Sequence, residues 1–391
     1  MSHPMTMTRI MLAAALTVVT ALTPAAAQPT DPPVTTRGEW TADTHQWWSD
    51  SGERRIQLNL RTDGERWGSG VRIAELEGLP AAAESGLAND IGFSWTREAG
   101  VFRFHGSFDR GRGNGTFTFS ASPSYVAGMG GLGYRNLTSD NLLRLALIDV
   151  TQIYARGLRD AGYTNIPLDD LVRMRIHRVT ADMIRELAAL GYKGLEIETL
   201  VRMRIHGATP EFVRAMQSAG FSGLSTEDLI KFRIHKVTPE FIKAMADLGY
   251  KGLAGEDLVR MRIHKVTPEY IRALSERNYR GLLAEDLVKM MIHKVSVQEI
   301  DELKTLGYSG LLTDELVKLR IHKVSAQFIR SIHEVGYRTI SIEQLVKMRI
   351  HKVDAQFIKD LQADGYKNLT ASDVIDFAIR GPRFARTRRP V

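Results

Sequence analysis

Hydrophobic positions along the chain follow two rhythms. Between about residues 39 and 121 they alternate with polar ones, as in Ile56-Gln57-Leu58-Asn59-Leu60, Ile91-Gly92-Phe93-Ser94-Trp95, Phe102-Arg103-Phe104 and Phe117-Thr118-Phe119. A period of two puts the apolar side chains of a strand on one face. Turn-rich pieces, GERWGSG and DRGRGNG, separate the runs. The pattern predicts a small antiparallel β domain over 39–125, entered through a linker at 28–38. The GRGNG stretch has the glycines of a phosphate loop, but it lies between two strand patterns and opens no helix. It therefore reads as a hairpin turn.

From about residue 131 the rhythm becomes helical and the whole pattern repeats. LVRMRIH occupies 171–177 and returns at 200–206, and near-copies begin at 229, 258, 287, 316 and 345, a step of 29 residues. Each unit parses as two short helices. The trailing helix starts at Thr180, Thr209, Thr238, Thr267, Ser296, Ser325 or Asp354, all residues that accept a hydrogen bond from a free helical N–H. Pro210, Pro239 and Pro268 take the first helical position, where a missing N–H costs nothing. It stops at a glycine column running from Gly162 to Gly365, with Asn278 as the one departure. These columns change letter while keeping capping chemistry. So short a unit cannot bury its own apolar face, and stacking must do it. The expected fold is α+β multidomain: the β domain, then an α-solenoid of two-helix units over 131–379. Seven full units lie between a weaker copy at 142–170 and a half copy at 374–380. The Leu, Val, Met and Ile of each phrase are expected to build one continuous core.

The polar columns carry the candidate chemistry. Acid and base stand four apart in the leading helix, as in Glu198–Arg202 and Glu256–Arg260, which predicts exposed intrahelical ion pairs. Arg175, Arg204, Arg233, Arg262, Arg320 and Arg349 fall inside the apolar arc, with Met291 in the same column. A largely buried stem is expected, its guanidinium reaching a neighbouring unit or emerging in a groove. His177, His206, His235, His264, His293, His322 and His351 end the helix. They read as helix-end caps or as a metal- and pH-sensing ladder. Layers about 10 Å apart offer one His each and no carboxylate at fixed spacing, short of the four ligands zinc takes. Lys236, Lys265, Lys294, Lys323 and Lys352 follow in the turn without a matched acid column. With His206, His235, His264, His293, His322, Arg204, Arg233 and Arg262 they form the candidate binding surface.

Composition narrows the class. The chain has 391 residues, no Cys and a net charge of +7. Without cysteine there are no disulfides, thiolate metal sites or Cys nucleophiles. Residues 142–379 hold 35 basic and 31 acidic side chains, too even a balance to predict a nucleic-acid partner. Arg9, an apolar run to Leu22 and the small-residue site Ala25-Ala26-Ala27 read as a signal peptide over 1–27, cleaved near Ala27-Gln28. A periodic pattern long and apolar enough to cross a membrane does not follow. The expectation is a periplasmic or secreted protein with a basic disordered tail at 380–391, able to touch anionic surfaces weakly. Catalytic motifs are poor. His333-Glu334-Val335-Gly336-Tyr337 has Tyr where a zinc-protease HExxH has its second His. No Gly-x-Ser-x-Gly elbow or phosphate-binding loop occurs, so neither an enzyme nor a cofactor is expected.

The phrase LVRMRIHGATPEFVRAMQSAGFSGLSTED resembles repeats of exported bacterial proteins. It is similar to the repeat region that follows the membrane peptidase part of some antirepressor-type (BlaR/MecR-like) sensor proteins. AGVFRFHGSFDRGRGNGTFTF resembles the β segment that precedes such repeats. The peptidase part, with its membrane helices and HExxH, has no counterpart here, so no catalytic residue carries over. The resemblance implies a ligand- or partner-facing portion outside the cytoplasm. The expected function is a non-enzymatic binding or scaffold module that presents the solenoid surface to a protein or peptide of the cell envelope. The alternative is a metal or small-ligand sensor that uses the His and Arg columns.

Overall fold

A computed structural model describes residues 35–44 and 53–381. The signal-peptide reading of 1–27, most of the 28–38 linker and the tail beyond Gly381 lie outside the described residues. No helix among the described residues is long and apolar enough to cross a membrane. The chain divides into two compact units, with the boundary between Arg156 and Gly157.

The first unit is built on an antiparallel sheet. Its strands are β1 (Thr35–Asp43), β2 (Arg55–Arg61), β3 (Arg66–Arg72), β4 (Leu76–Glu77), β5 (Leu87–Arg97), β6 (Gly100–Asp109) and β7 (Arg112–Ala121), in the order β3-β2-β1-β7-β6-β5-β4. The two-residue alternation holds: Ile56, Leu58 and Leu60 are buried on β2, Phe102 and Phe104 on β6, Phe117 and Phe119 on β7. Trp40 meets Phe93 edge-on with ring centres 5.3 Å apart, and Phe93 stacks on Phe104 at 4.6 Å. Two readings need correction. The last four residues of the expected linker, 35–38, already pair with β7 as part of β1. GERWGSG is turn only at its start, and Trp67-Gly68-Ser69-Gly70 is strand. Gly68 and Gly70 pair across from Asn59 and Gln57 on β2. The turn signal came from glycines that pack no side chain yet still complete the ladder. The hairpin joining β6 to β7 turns at Arg110 and Gly111, both at positive φ (44° and 80°), as a two-residue hairpin requires.

The helical register starts earlier than its sequence shows. Immediately after β7, Ser122 caps the helix Pro123–Gly131 by accepting from the Tyr125 N–H, and Gly133 ends it at φ 104°. Ser122-Pro123-Ser124-Tyr125 occupies the Thr-Pro-Glu-Phe columns of the later units. Small residues such as Gly128 and Gly130 diluted the apolar signal there. The next helix, Ser139–Ile148, corresponds to the weak copy and packs on β1 and β7. The Tyr125 hydroxyl donates to the Val150 carbonyl at 2.6 Å.

The second unit is a run of hairpins. Leading helices such as Thr226–Ile234 and Gly255–Ile263 alternate with trailing helices such as Pro239–Asp247. All seven cap side chains from Thr180 to Asp354 accept the N–H three residues on. The trailing helices end at glycines with φ between 90° and 105°, or at Asn278 at 66°. Leu229, Ile230 and Phe232, with the equivalents in every unit, are buried. The terminal isoleucines are not: Ile176, Ile205, Ile234, Ile263, Ile292, Ile321, Ile350 and Ile379 stay 48–53 % exposed. The expectation that they join the core is wrong. Each sits on the last or next-to-last position of a short helix, level with the helix end rather than with the packed face.

A tyrosine after each trailing helix ties units together. Tyr163, Tyr192, Tyr250, Tyr279, Tyr308 and Tyr337 each donate to the carbonyl 32 residues on, at 2.6–2.9 Å. Phe221 interrupts the column. Tyr308→Phe leaves the Ile340 carbonyl without this donor and should cost about 1 kcal/mol in urea denaturation. Burial raises the pKa of all six phenols, and that of Tyr270 to about 12. Because these values lie above those of an unfolded tyrosine, their contribution is intact below pH of about 10. It is lost as pH rises through the folded values. Stability should therefore fall as pH rises above about 10, and less steeply in Tyr308→Phe. An identical profile in the variant would refute the tie.

Candidate functional site

The leading helices all end in one turn. In Thr226–Ile234 the last helical residue is Ile234, His235 caps at φ −92° and Lys236 is left-handed at φ 56°. The Lys236 N–H donates to the Arg233 carbonyl at 3.2 Å and the Val237 N–H to the Phe232 carbonyl at 2.8 Å. Two such bonds, with buried Val237 folding back on the helix, make a Schellman turn. The turn recurs with Lys265, Lys294, Lys323, Lys352 and Arg178, all at φ 55–59°. Gly207 holds the position in the unit of Ile197–His206, at φ 72°. A left-handed side chain costs about 1 kcal/mol. Five lysines thus stand where glycine would be more stable, and among the described residues none forms an ion pair or a side-chain hydrogen bond.

Six of the seven column histidines occupy the helix cap through their backbone, and His206 is the last residue of its helix. None of the seven rings makes a hydrogen bond or ion pair among the described residues. No group of three or more His, Cys, Asp or Glu able to hold a metal ion occurs among them either.

The arginine column does something different from its expected burial. Arg233 is exposed and Arg262 half-buried. Their guanidinium groups lie over Phe212 and Phe241 of the preceding trailing helix, each 4.9 Å from the ring centre. Their Nε atoms donate to the His206 and His235 carbonyls, both at 3.3 Å. Arg320 does the same to His293 at 3.1 Å. Where the ring is replaced by Glu299, Arg320 forms an ion pair with it at 3.5 Å. Where it is replaced by Tyr270, whose hydroxyl donates to Val295 at 2.8 Å, the arginine becomes Met291. The column is thus matched to the residue 21 positions earlier from Arg233 onward, whereas Arg175 and Arg204 stand 21 positions after Tyr154 and Met183. Arg233, Arg262 and Arg320 thus each join one leading-helix terminus to the next, and the Ile-His-Lys turns line one edge of the array. Arg204, also in the candidate set, is half-buried, and the residue 21 positions earlier is Met183.

The outer basic column also pairs across units. Arg173 meets Glu198 at 2.6 Å and Arg202 meets Glu227 at 2.5 Å, 25 residues apart; Lys289 pairs likewise with Asp314. Of the expected pairs four apart, Lys347–Glu343 forms, at 2.9 Å. Between units the acid is as close as within the helix, and stacking selects the longer link. The Glu227 carboxyl is held below the usual carboxylate value by its hydrogen bond to Arg202.

A cleft of about 580 Å³ lies in the region of Tyr279, Arg280, Lys304 and Tyr308. The preceding trailing helix, Pro268–Ser275, is one residue short of the usual length, and Asn278 follows where other units have Gly. Arg277 and Asp301 on its wall satisfy each other through two bonds of 2.8 and 2.6 Å. The Asn278 departure was the only sequence signal for it. Comparison of the chain with protein-family models gives no match, and comparison with curated proteins gives none either.

Proposed function

We propose that the chain is an exported, non-enzymatic binding module, periplasmic or secreted, that presents its helical array to a protein or peptide partner of the cell envelope. The observation that supports this most is the leading-helix edge. It repeats an exposed isoleucine in every full unit and, in five of them, a lysine that forms no ion pair among the described residues. Exposed apolar side chains at regular intervals serve contact rather than the core, and repeat arrays use extended surfaces in this way. The test is affinity capture from the protein's own envelope extract at low and high salt, read by mass spectrometry. A single protein retained at both salts is the expected result. Retention of anionic lipid alone, lost at high salt, would transfer binding to the basic tail, and capture of nothing at either salt would reject the module reading.

A further inference from the structure

Three chemistries recur in fixed order along the leading-helix edge. Each full unit offers a half-exposed isoleucine (Ile234, Ile321 and Ile350 are each 51 % exposed). Beside it stands an imidazole with no hydrogen bond among the described residues. In five units a lysine with no ion pair there comes next.

That lysine is not needed by the fold. Gly207 shows that the turn closes without a side chain, and glycine removes the left-handed penalty. Nor is it needed to offset the helix dipole. At Lys236 and Lys294 the terminal carbonyl already receives the guanidinium of the next unit, His235 from Arg262 and His293 from Arg320. What the lysine adds is exposed positive charge.

The charge is graded along the edge. The second position of the following trailing helix is Glu211, Glu240 and Glu269 in earlier units but Gln298, Gln327 and Gln356 in the last three; of the acids that remain close by, Glu299 is paired with Arg320 and Asp354 caps its own helix. The edge is therefore most positive around Lys294, Lys323 and Lys352.

We infer, building on the binding-module reading, that this edge is the docking line for an extended acidic polypeptide, seated over Lys294, Lys323 and Lys352. A polypeptide supplies all three complements: apolar side chains for the isoleucines, backbone amides for the imidazoles and carboxylates for the lysines. A polyanion offers charge alone. An anionic membrane meets lysine and isoleucine too, but offers no repeat that matches the spacing of the turns. Helices packed one on the next repeat at about 10 Å, the length of three residues of extended chain at about 3.3 Å each. The partner therefore carries an apolar residue at every third position with acids between.

The probe is a labelled synthetic peptide repeating Leu-Glu-Thr, long enough to span the array, titrated with the full chain by fluorescence polarisation. The repeat peptide should bind at least about tenfold more tightly than a shuffled peptide of the same composition or one with Gln for Glu. Combining Lys294→Gly, Lys323→Gly and Lys352→Gly should weaken binding about tenfold while raising the melting temperature, which separates lost affinity from lost structure. Ile292→Ser, Ile321→Ser and Ile350→Ser together should weaken it similarly. Equal binding of the shuffled peptide or of polyglutamate would overturn the inference, as would an unchanged affinity of the triple-glycine variant. Phosphatidylglycerol vesicles bound in place of the peptide, and released by the triple variant, would make the edge a membrane surface and equally overturn it. The two readings fail separately. An envelope protein retained equally by wild type and triple variant removes this edge but leaves the module, whereas capture of nothing by the wild type removes the module itself.

Discussion

Excision of Lys265–His293, one whole unit, is expected to leave a shorter chain that still unfolds in a single transition with unchanged helicity per residue. Excision of Lys265–Asn278, about half a unit, is expected to destroy that cooperativity. The whole-unit cut joins His264 to Lys294 and recreates the same Schellman turn. The recurring inter-unit bonds then find equivalent partners one period on, while Asp301 loses Arg277, whose column holds Leu248 in the unit before. Tyr250 donates to the Leu311 carbonyl in place of Leu282, and Arg320 reaches the His264 carbonyl in place of His293. Nearest-neighbour stability falls only by one unit's share. The half-unit cut removes a trailing helix with buried Ile271 and Leu274 and sets two leading helices end to end. Loss of two such side chains alone is worth about 4–10 kcal/mol, comparable to the stability of a whole domain. Far-UV circular dichroism across a urea gradient separates the outcomes. Equal cooperativity in both variants would show that the 29-residue register does not organise the fold.

The legibility of this fold follows the range of the interactions involved. Caps, left-handed glycines and strand alternation are settled within a few residues, so Thr238, Gly249 and Ile56-Leu58-Leu60 were readable directly. Interactions that cross units were not. Glu198 lies four residues from Arg202, but Arg202 bonds Glu227, because stacking brings the next unit's acid equally near. Ile234 falls on the apolar side of a helical wheel. The wheel describes an endless helix, and this one stops at Ile234, leaving that residue half outside the packed layer. Its exposure is the most important feature of the candidate edge, and only the three-dimensional stacking reveals it. The lysine column was visible as a surface stripe, but its left-handed backbone was not, because lysine carries no turn signal of the kind glycine and asparagine do.

The same cross-unit logic makes one glycine decisive. Gly255→Ile should destabilise the protein by about 1–3 kcal/mol, although isoleucine is the native residue of this column at Ile197 and Ile342. A Cβ on Gly255 would stand 2.8 Å from Cζ and 3.1 Å from Cε1 of Phe232. Phe232 is itself unusual, since five of the other full units have Met in that column and one has Leu319. It is buried, and meets Phe221 edge-on at 5.6 Å. Phe221 in turn is the one break in the tyrosine ties. The three substitutions form one packing solution: a larger ring on the leading helix, a second ring against it and an empty Cβ position to receive it. Phe232→Met alone leaves space beside Gly255 and should also destabilise. In the double variant the isoleucine fills the space that the ring gave up, and most of the loss should be recovered. A double-mutant cycle by urea denaturation measures this, with a coupling of at least about 1 kcal/mol expected for side chains in contact. Strictly additive losses would mean that Gly255 serves the start of its own helix rather than the ring of the preceding unit.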